Sequence, residues 1–215
     1  LADADLIRFV PNGANATSTN GSTWTTVVDT ADPRLTEGAQ MNEGTVSAEL
    51  GLAGWPAVAE EAIIARDVLL AEHVGSRLHV CHLSTAGSVD IIRWAKKRGV
   101  NVTAEVTPHH LFLNEEDITD QYDTNLKMNP PLRLRSDMEA LQQGILDGSI
   151  DCVVTDHAPH APHEKDCEWE IAFFGTVGLE TSLPLMLTNL VLPERMGWSR
   201  LVQVMAINPR SVLRL

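Results

Sequence analysis

The stretch Asp151-Cys152-Val153-Val154-Thr155-Asp156-His157-Ala158-Pro159-His160 decides the fold. Its short apolar run, Cys152 to Val154, has the length and composition of a strand buried on both faces. The run stops at a carboxylate and two imidazoles, and Pro159 cannot extend a ladder of backbone hydrogen bonds. Asp156 is therefore expected at the carboxyl end of a strand, where the loop begins. In α/β barrels that edge is where the chemistry is done. Ordinary turn residues would explain a lone Asp-His pair. Three such groups within five positions, with a second His-bearing strand end upstream, favour ligation or catalysis instead.

Working outward, the chain alternates strand and helix. Ser136-Asp137-Met138-Glu139 predicts a capping box opening a helix, with Met138, Leu141 and Ile145 on one face and Gly148 closing it. Arg77 to His82 predicts a strand ending at His82. A helix from Ala86 to Arg98 follows, capped by Ser84 or Thr85 and stopped by Gly99. Asn101 to Thr107 is a third strand, ended by Pro108. Between Pro56 and Gly75, Val58, Ala62, Ala65 and Leu69 recur at helical spacing, with Glu60, Glu61, Arg66 and Glu72 outward. Trp24 to Val28 is a further strand, ending before Asp29, and Pro33 to Gly51 is loop plus a short helix. Beyond the opening stretch, a polar loop to about Glu168 and the segment Phe173 to Glu180 precede helices running to Leu215. There Ser199 is an expected cap, and Asn208-Pro209 opens the last turn. Leu1 to Ser22 has linker composition. Its two glycosylation sequons, at Asn15 and Asn20, are expected to go unused without a secretory leader.

Such alternation implies parallel strands with crossover helices, so His82 and Asp156 would emerge on one edge of the sheet. Four strands are half of an eight-stranded barrel, which takes ~250 residues when complete. The expected fold is α/β, the carboxyl-terminal part of a TIM-like (β/α)8 barrel. Residues 1–31 read as an atypical segment and 32–215 as the barrel portion. The chain begins at Leu1 rather than Met, and an upstream part is expected.

Charge and cysteine content narrow the function. With 16 Lys and Arg against 29 Asp and Glu, the net charge of −13 argues against nucleic acid and anionic membrane surfaces. An anionic substrate would have to be held by local groups. No apolar run approaches the ~18 residues of a membrane span. Cys81, Cys152 and Cys167 form neither an even set nor a Cys-x-x-Cys pair, and read as reduced thiols of a cytoplasmic protein.

The imidazole of His82 and the carboxylate of Asp156 are typical zinc donors, at about 2.0–2.2 Å. A metal lowers the pKa of bound water from ~15.7 to about 7. Asp156, beside that water, could take its proton and hand it to a leaving nitrogen. Catalytic zinc ordinarily has three protein ligands, so two are an incomplete set. His160 lies in the loop at the same mouth, suited to a substrate carboxylate or ring oxygen. Asn129, extended before two prolines, offers a donor and an acceptor to an amide or imide edge. His109 and His110 are read as supporting or packing groups, and His73 and His79 as structural. His163 and the acidic run from Glu164 to Glu170 are read as a solvated loop.

Six motifs in order carry a resemblance. Val-Cys-His-Leu-Ser-Thr-Ala-Gly-Ser (80–88), Glu-Val-Thr-Pro-His-His-Leu (105–111), Asn-Pro-Pro-Leu-Arg (129–133), Thr-Asp-His-Ala-Pro-His (155–160), Phe-Gly-Thr-Val-Gly-Leu-Glu-Thr (174–181) and Asn-Pro-Arg (208–210) resemble those of bacterial dihydroorotases. These are metal-dependent barrel hydrolases of the amidohydrolase superfamily. The likeness runs from about Asp32 to the end. It implies zinc-dependent, reversible interconversion of N-carbamoyl-L-aspartate and L-dihydroorotate in pyrimidine biosynthesis. By position it implies His82 as a zinc ligand and Asp156 as both ligand and catalytic acid/base. It implies Asn129 and His160 as substrate contacts, and Phe174-Gly175 as a backbone contact to the ring.

Two departures from the family pattern bear on activity. The family's His-x-His pair, expected on the first barrel strand, occurs nowhere in the chain. Where the family places a metal-binding His, three residues before Asp-Pro-Arg-Leu at 32–35, this chain has Asp29. The 215-residue chain alone is therefore expected to be inactive. Two alternatives stand: another cyclic amidase such as a hydantoinase or allantoinase, and a catalytically silent dihydroorotase-like subunit that scaffolds a carbamoyltransferase. The expected partner is a small-molecule substrate, with a homo-oligomer or a carbamoyltransferase complex left open.

Overall fold

The computed structural model describes residues 6–8 and 38–215. Strand β1 (Leu6–Arg8) is followed by a two-residue parallel pair, β2 (Met41–Asn42) and β3 (Gly54–Trp55), on either side of helix α1 (Thr45–Leu50). Helix α2 (Val58–Val74) leads into β4 (Arg77–Val80), and α3 (Ala86–Lys97) into β5 (Val102–Val106). Helices α4 (Pro108–Phe112) and α5 (Arg135–Asp147) precede β6 (Cys152–Val153). Then come α6 (Pro162–Lys165), α7 (Ser182–Met186) with a π-helical continuation to Val191, and α8 (Trp198–Val202). A second π-helical stretch, Gln203–Ile207, joins α8 to α9 (Asn208–Leu213).

The main sheet has the order β1-β4-β5-β6, and every pairing is parallel. The carboxyl ends of β4 and β6 therefore lie on one edge. Side chains alternate along each strand. Leu78, Val80, Val102, Ala104, Val106 and Val153 face a core built with Ile64 and Val68 of α2, Val89 and Ile92 of α3, and Leu141 and Ile145 of α5. Fully burying one such aliphatic chain stabilises the fold by about 1.5–3 kcal/mol. The alternate positions, His79, Thr103, Glu105 and Cys152, make the other face polar.

The structure corrects several local expectations. Helix α2 buries Ala59, Ile64, Asp67, Val68 and Ala71, while Val58 and Leu69 are exposed. Two stripes at helical spacing compete in this segment, and the charge of Asp67 disguises the one that is used. Glu60, expected outward, turns inward. The box opening α5 lies two residues earlier than expected, with the Leu134 N–H donating to Asp137 Oδ2 at 3.2 Å. Thr85, not Ser84, caps α3, and Ser199 lies inside α8 rather than at its cap, which is Gly197. The fourth strand of the sheet is β1. The expected strand at Trp24 to Val28, the two sequons and Asp29 lie outside the described residues. Among those residues no helix is long and apolar enough to cross a membrane.

Candidate active site

Strand β4 leaves the ladder after Val80, and the chain turns sharply at His82, whose φ is 28°. The Leu83 N–H donates to the Glu105 carbonyl at 2.9 Å, holding this turn over β5. His82 is buried, and its Nδ1 has no hydrogen-bond partner among the described residues. Behind it lies a buried polar network. The Glu60 carboxylate accepts from Ser84 N at 3.0 Å, from Ser84 Oγ, and from Ser88 Oγ at 2.7 Å. Arg133 donates through Nε to Ser84 Oγ at 3.1 Å and through one terminal nitrogen to Asn42 Oδ1 and the Trp55 carbonyl. Burial pulls the Arg133 guanidinium below its ordinary pKa, against the opposing pull of Glu60 and Asp137. The arginine of Asn-Pro-Pro-Leu-Arg thus fastens the His-Leu-Ser-Thr turn.

The two histidines of α4 extend the rim. His110 is pinned on both nitrogens, Nδ1 to Thr107 Oγ1 at 2.7 Å and Nε2 to the Pro130 carbonyl at 2.9 Å, which ties the helix to the Asn129 loop. His109 stacks obliquely on it, with centroids 4.5 Å apart. Burial, reinforced by repulsion from His82, pushes His109 down to about 3, so it is neutral at physiological pH. Both are packing and support groups beside His82, as expected.

Asp156 follows β6 with φ 45° and an exposed side chain. The segment after it lies parallel to the Phe174–Leu179 stretch. His157 pairs with Thr176, and the Ala158 N–H donates to the Thr176 carbonyl at 2.9 Å. His157 Nδ1 accepts from the N–H groups of Gly178 and Leu179, at 3.1 and 3.2 Å, which puts its proton on Nε2. His160 Nε2 lies 2.9 Å from the Phe174 carbonyl, and its ring stacks on Phe173. Gly175 sits at φ 110°, and a Cβ there would come within 2.6 Å of Ala158 Cβ. The motifs at 155–160 and 174–181 therefore form one ledge.

Lys127, which the sequence reading missed, joins this ledge to the Asn129 loop. It is 2% exposed. Its ammonium donates to the carbonyls of Trp169, Glu170 and Ala172 at 2.7, 3.1 and 2.8 Å, and lies 4.6 Å from the Phe174 ring centroid. Burial lowers its pKa below the usual lysine value. Its carbonyl accepts from Gly175 N at 2.8 Å. The acidic run to Glu170 is thus not simply a solvated loop: Trp169 is buried and clamped. A lone lysine in a Pro-rich loop gives no sequence signal of this role.

Asn129, Phe174, Gly175 and His160 are brought into one connected rim, while His82 and Asp156 end two strands on the same edge. Among the described residues, the trio of His, Cys, Asp or Glu side chains with donor atoms all within 4.8 Å of one another is His79, Cys81 and Glu105. His82 and Asp156 do not belong to such a trio.

A parallel sheet backed by helices, with His82 and Asp156 just past strand ends on its carboxyl edge, places the chain in the class of TIM-like α/β barrels, of which it forms a part. Among solved structures it superposes on L-hydantoinase (dihydropyrimidinase) from Arthrobacter aurescens with a TM-score of 0.72 and 33% identity, covering 80% of this chain and 38% of that one. D-Hydantoinase from Thermus sp. gives 0.68 and 24%, over 85% and 40%.

Residues 15–88 match the dihydro-orotase-like family model. The chain is 62% identical over 184 residues to a dihydroorotase of Leifsonia xyli subsp. xyli, covering 86% of this chain and 42% of that protein. With a dihydroorotase of Streptomyces coelicolor it shares 60% over 181 residues, 84% and 42% of the two lengths. The chain is a relative of the bacterial dihydroorotases, and it spans about two-fifths of the length of these two.

Proposed function

We propose that this chain contributes the carboxyl-terminal part of a cytoplasmic dihydroorotase that interconverts N-carbamoyl-L-aspartate and L-dihydroorotate in pyrimidine biosynthesis. What carries the reading is the 62% identity to a dihydroorotase, over a span that includes both strand-end donors. His82 and Asp156 would hold a zinc ion. The fit rests on the buried, unpartnered Nδ1 of His82 and on a donor set of imidazole and carboxylate. When bound, the metal would supply Lewis-acid polarisation and a more acidic water. In hydrolysis, Asp156 takes the proton of the attacking water and passes it to the departing ring nitrogen; cyclisation reverses the path. The Asn129 amide presents a donor and an acceptor to the imide edge, the Phe174-Gly175 backbone abuts the ring, and His160 faces the substrate carboxylate.

His82 and Asp156 alone fall short of the three protein ligands that catalytic zinc ordinarily has, and the sequence carries no His-x-His pair. The 215-residue chain alone should therefore turn over dihydroorotate negligibly, and a rate near that of a complete enzyme would overturn this. The hydantoinase likeness at 33% identity supports a second reading, hydrolysis of hydantoins. In a full-length protein carrying this segment, a panel of dihydroorotate, hydantoin and allantoin decides between them. Asp156→Asn should abolish turnover there, and retained activity would remove Asp156 as the acid/base.

A further inference from the structure

The four groups proposed to touch the substrate are joined through one residue that the reaction above does not use. Lys127 stands just ahead of Asn129 in the same loop. Its carbonyl accepts from Gly175 N at 2.8 Å. Its ammonium lies 4.6 Å from the ring centroid of Phe174, whose own carbonyl accepts from His160 Nε2 at 2.9 Å. We propose that Lys127 is a positioning residue of the substrate rim: its ammonium acts as a tethered monovalent cation that holds Phe174-Gly175 at a set spacing from Asn129. This rests on the dihydroorotase reading and deepens it, by giving a buried residue outside the proposed contacts control over substrate affinity.

The surroundings of the ammonium call for a positive charge. The carbonyls of Trp169, Glu170 and Ala172 converge on it at 2.7, 3.1 and 2.8 Å, so three peptide dipoles turn their negative ends toward one point. The negative face of the Phe174 ring closes the cradle. Without a cation at the centre these oxygens repel one another and must turn apart. Their residues run directly into Phe173, Phe174 and Gly175, so that turning displaces the backbone proposed to abut the substrate ring. A neutral side chain of the same length fills the space and leaves the oxygens unbalanced.

The rest of the site is held by other means. The Asn129 side of the rim is tied down by His110, whose Nε2 donates to the Pro130 carbonyl at 2.9 Å. Asp156 follows β6, which is fixed to β5 through the bond from Val154 N to the Val106 carbonyl at 3.0 Å. Loss of the Lys127 charge therefore moves the Phe174 side of the rim and leaves the proton-transfer group in place. A contact made alike with substrate and transition state is weakened, which raises KM and spares kcat.

The test uses a full-length protein carrying this segment, at a temperature where each variant keeps the circular dichroism of the unsubstituted protein. Lys127→Met should raise KM for dihydroorotate at least about tenfold and change kcat by less than about threefold. Lys127→Ala should do the same, and propylammonium, which restores the missing chain and charge, should bring KM back to within about threefold of its original value. Tetramethylammonium carries the charge without an N–H and should not rescue. An unchanged KM in Lys127→Met overturns the proposal, as does a loss confined to kcat or equal rescue by the two cations. Should Lys127→Ala not fold, Lys127→Met decides alone. If the unsubstituted protein hydrolyses hydantoin and not dihydroorotate, the dihydroorotase reading fails, and the same ratios measured on hydantoin decide the role of Lys127. Whatever the substrate, propylammonium should slow amide exchange at Gly175 in Lys127→Ala of the 215-residue chain while leaving β5 unaffected; no slowing overturns the proposal.

Discussion

Replacing Lys127 with Met tests whether the ledge at the mouth is held by one buried ammonium. The substitution keeps the length of the side chain and removes three donated hydrogen bonds, at 2.7, 3.1 and 2.8 Å. Hydrogen bonds to a charged group contribute about 1.5–3 kcal/mol each. Against this, removing the charge recovers several kcal/mol of desolvation. Trp169 and Ala172 are each only 3% exposed, so water replaces the lost donor poorly at their carbonyls. The balance is a loss of about 2–4 kcal/mol. For chains of 150–250 residues this lowers Tm by roughly 5–15 °C. Calorimetry measures the global loss. Amide hydrogen exchange should locate it: amides in 169–175, above all that of Gly175, should exchange faster, while those of β5 change only with global stability. If Lys127→Met melts at the original temperature with unaltered exchange in 169–175, the clamp contributes nothing and the reasoning fails.

Three further substitutions probe the same architecture. Gly175→Ala should destabilise by about 1–3 kcal/mol, because it combines a left-handed backbone with the 2.6 Å approach to Ala158. Adding Ala158→Gly should restore only the steric part in urea titrations, and full rescue would show that φ is not strained. Asp67 is buried beside Arg66, its Oδ2 lacks a partner, and burial raises its pKa above 3.8. Its folded form thus holds its proton more tightly than the unfolded chain, so stability declines as pH rises from 3.8 through the folded pKa. Asp67→Asn should flatten that decline and gain about 1 kcal/mol at neutral pH; urea midpoints at pH 4 and 7 check both, and equal loss at the two pH values would refute it.

Much of this architecture is legible in the residues because strands that end in Pro, His or Asp announce both their direction and their functional edge. The parallel sheet follows from three such ends alternating with helical stripes. The buried face of α2 is not legible, since two stripes of similar apolarity run along Val58–Val74 and only packing selects between them. Lys127 and Arg133 are silent for a related reason: a cation buried on backbone carbonyls or in a polar network looks, in sequence, like a solvated one. The His79-Cys81-Glu105 cluster is hidden differently. Its donors lie on two strands and converge only through the register that sets Leu78 against Val102 and Val80 against Ala104.

The backbone itself argues for the mouth of the sheet as the working end. Five non-glycine residues among those described have positive φ: His82, Tyr122, Asp156, Glu194 and Arg214. Tyr122, Glu194 and Arg214 lie in turns away from the carboxyl ends of the sheet strands. His82 and Asp156 instead stand just past the ends of β4 and β6, the two strands that flank β5, and each such residue costs about 1–3 kcal/mol unless its surroundings over-determine it. They do here. The Leu83 N–H to Glu105 bond and the Glu60–Ser84–Arg133 network fix one turn, and the Val154 to Val106 and Ala158 to Thr176 bonds fix the other. Neither turn is needed merely to end a strand, since β5 ends at Val106 with Thr107 extended. The fold thus holds positive-φ turns just past β4 and β6, at the two residues proposed as donors, and an extended backbone at the end of the strand between them.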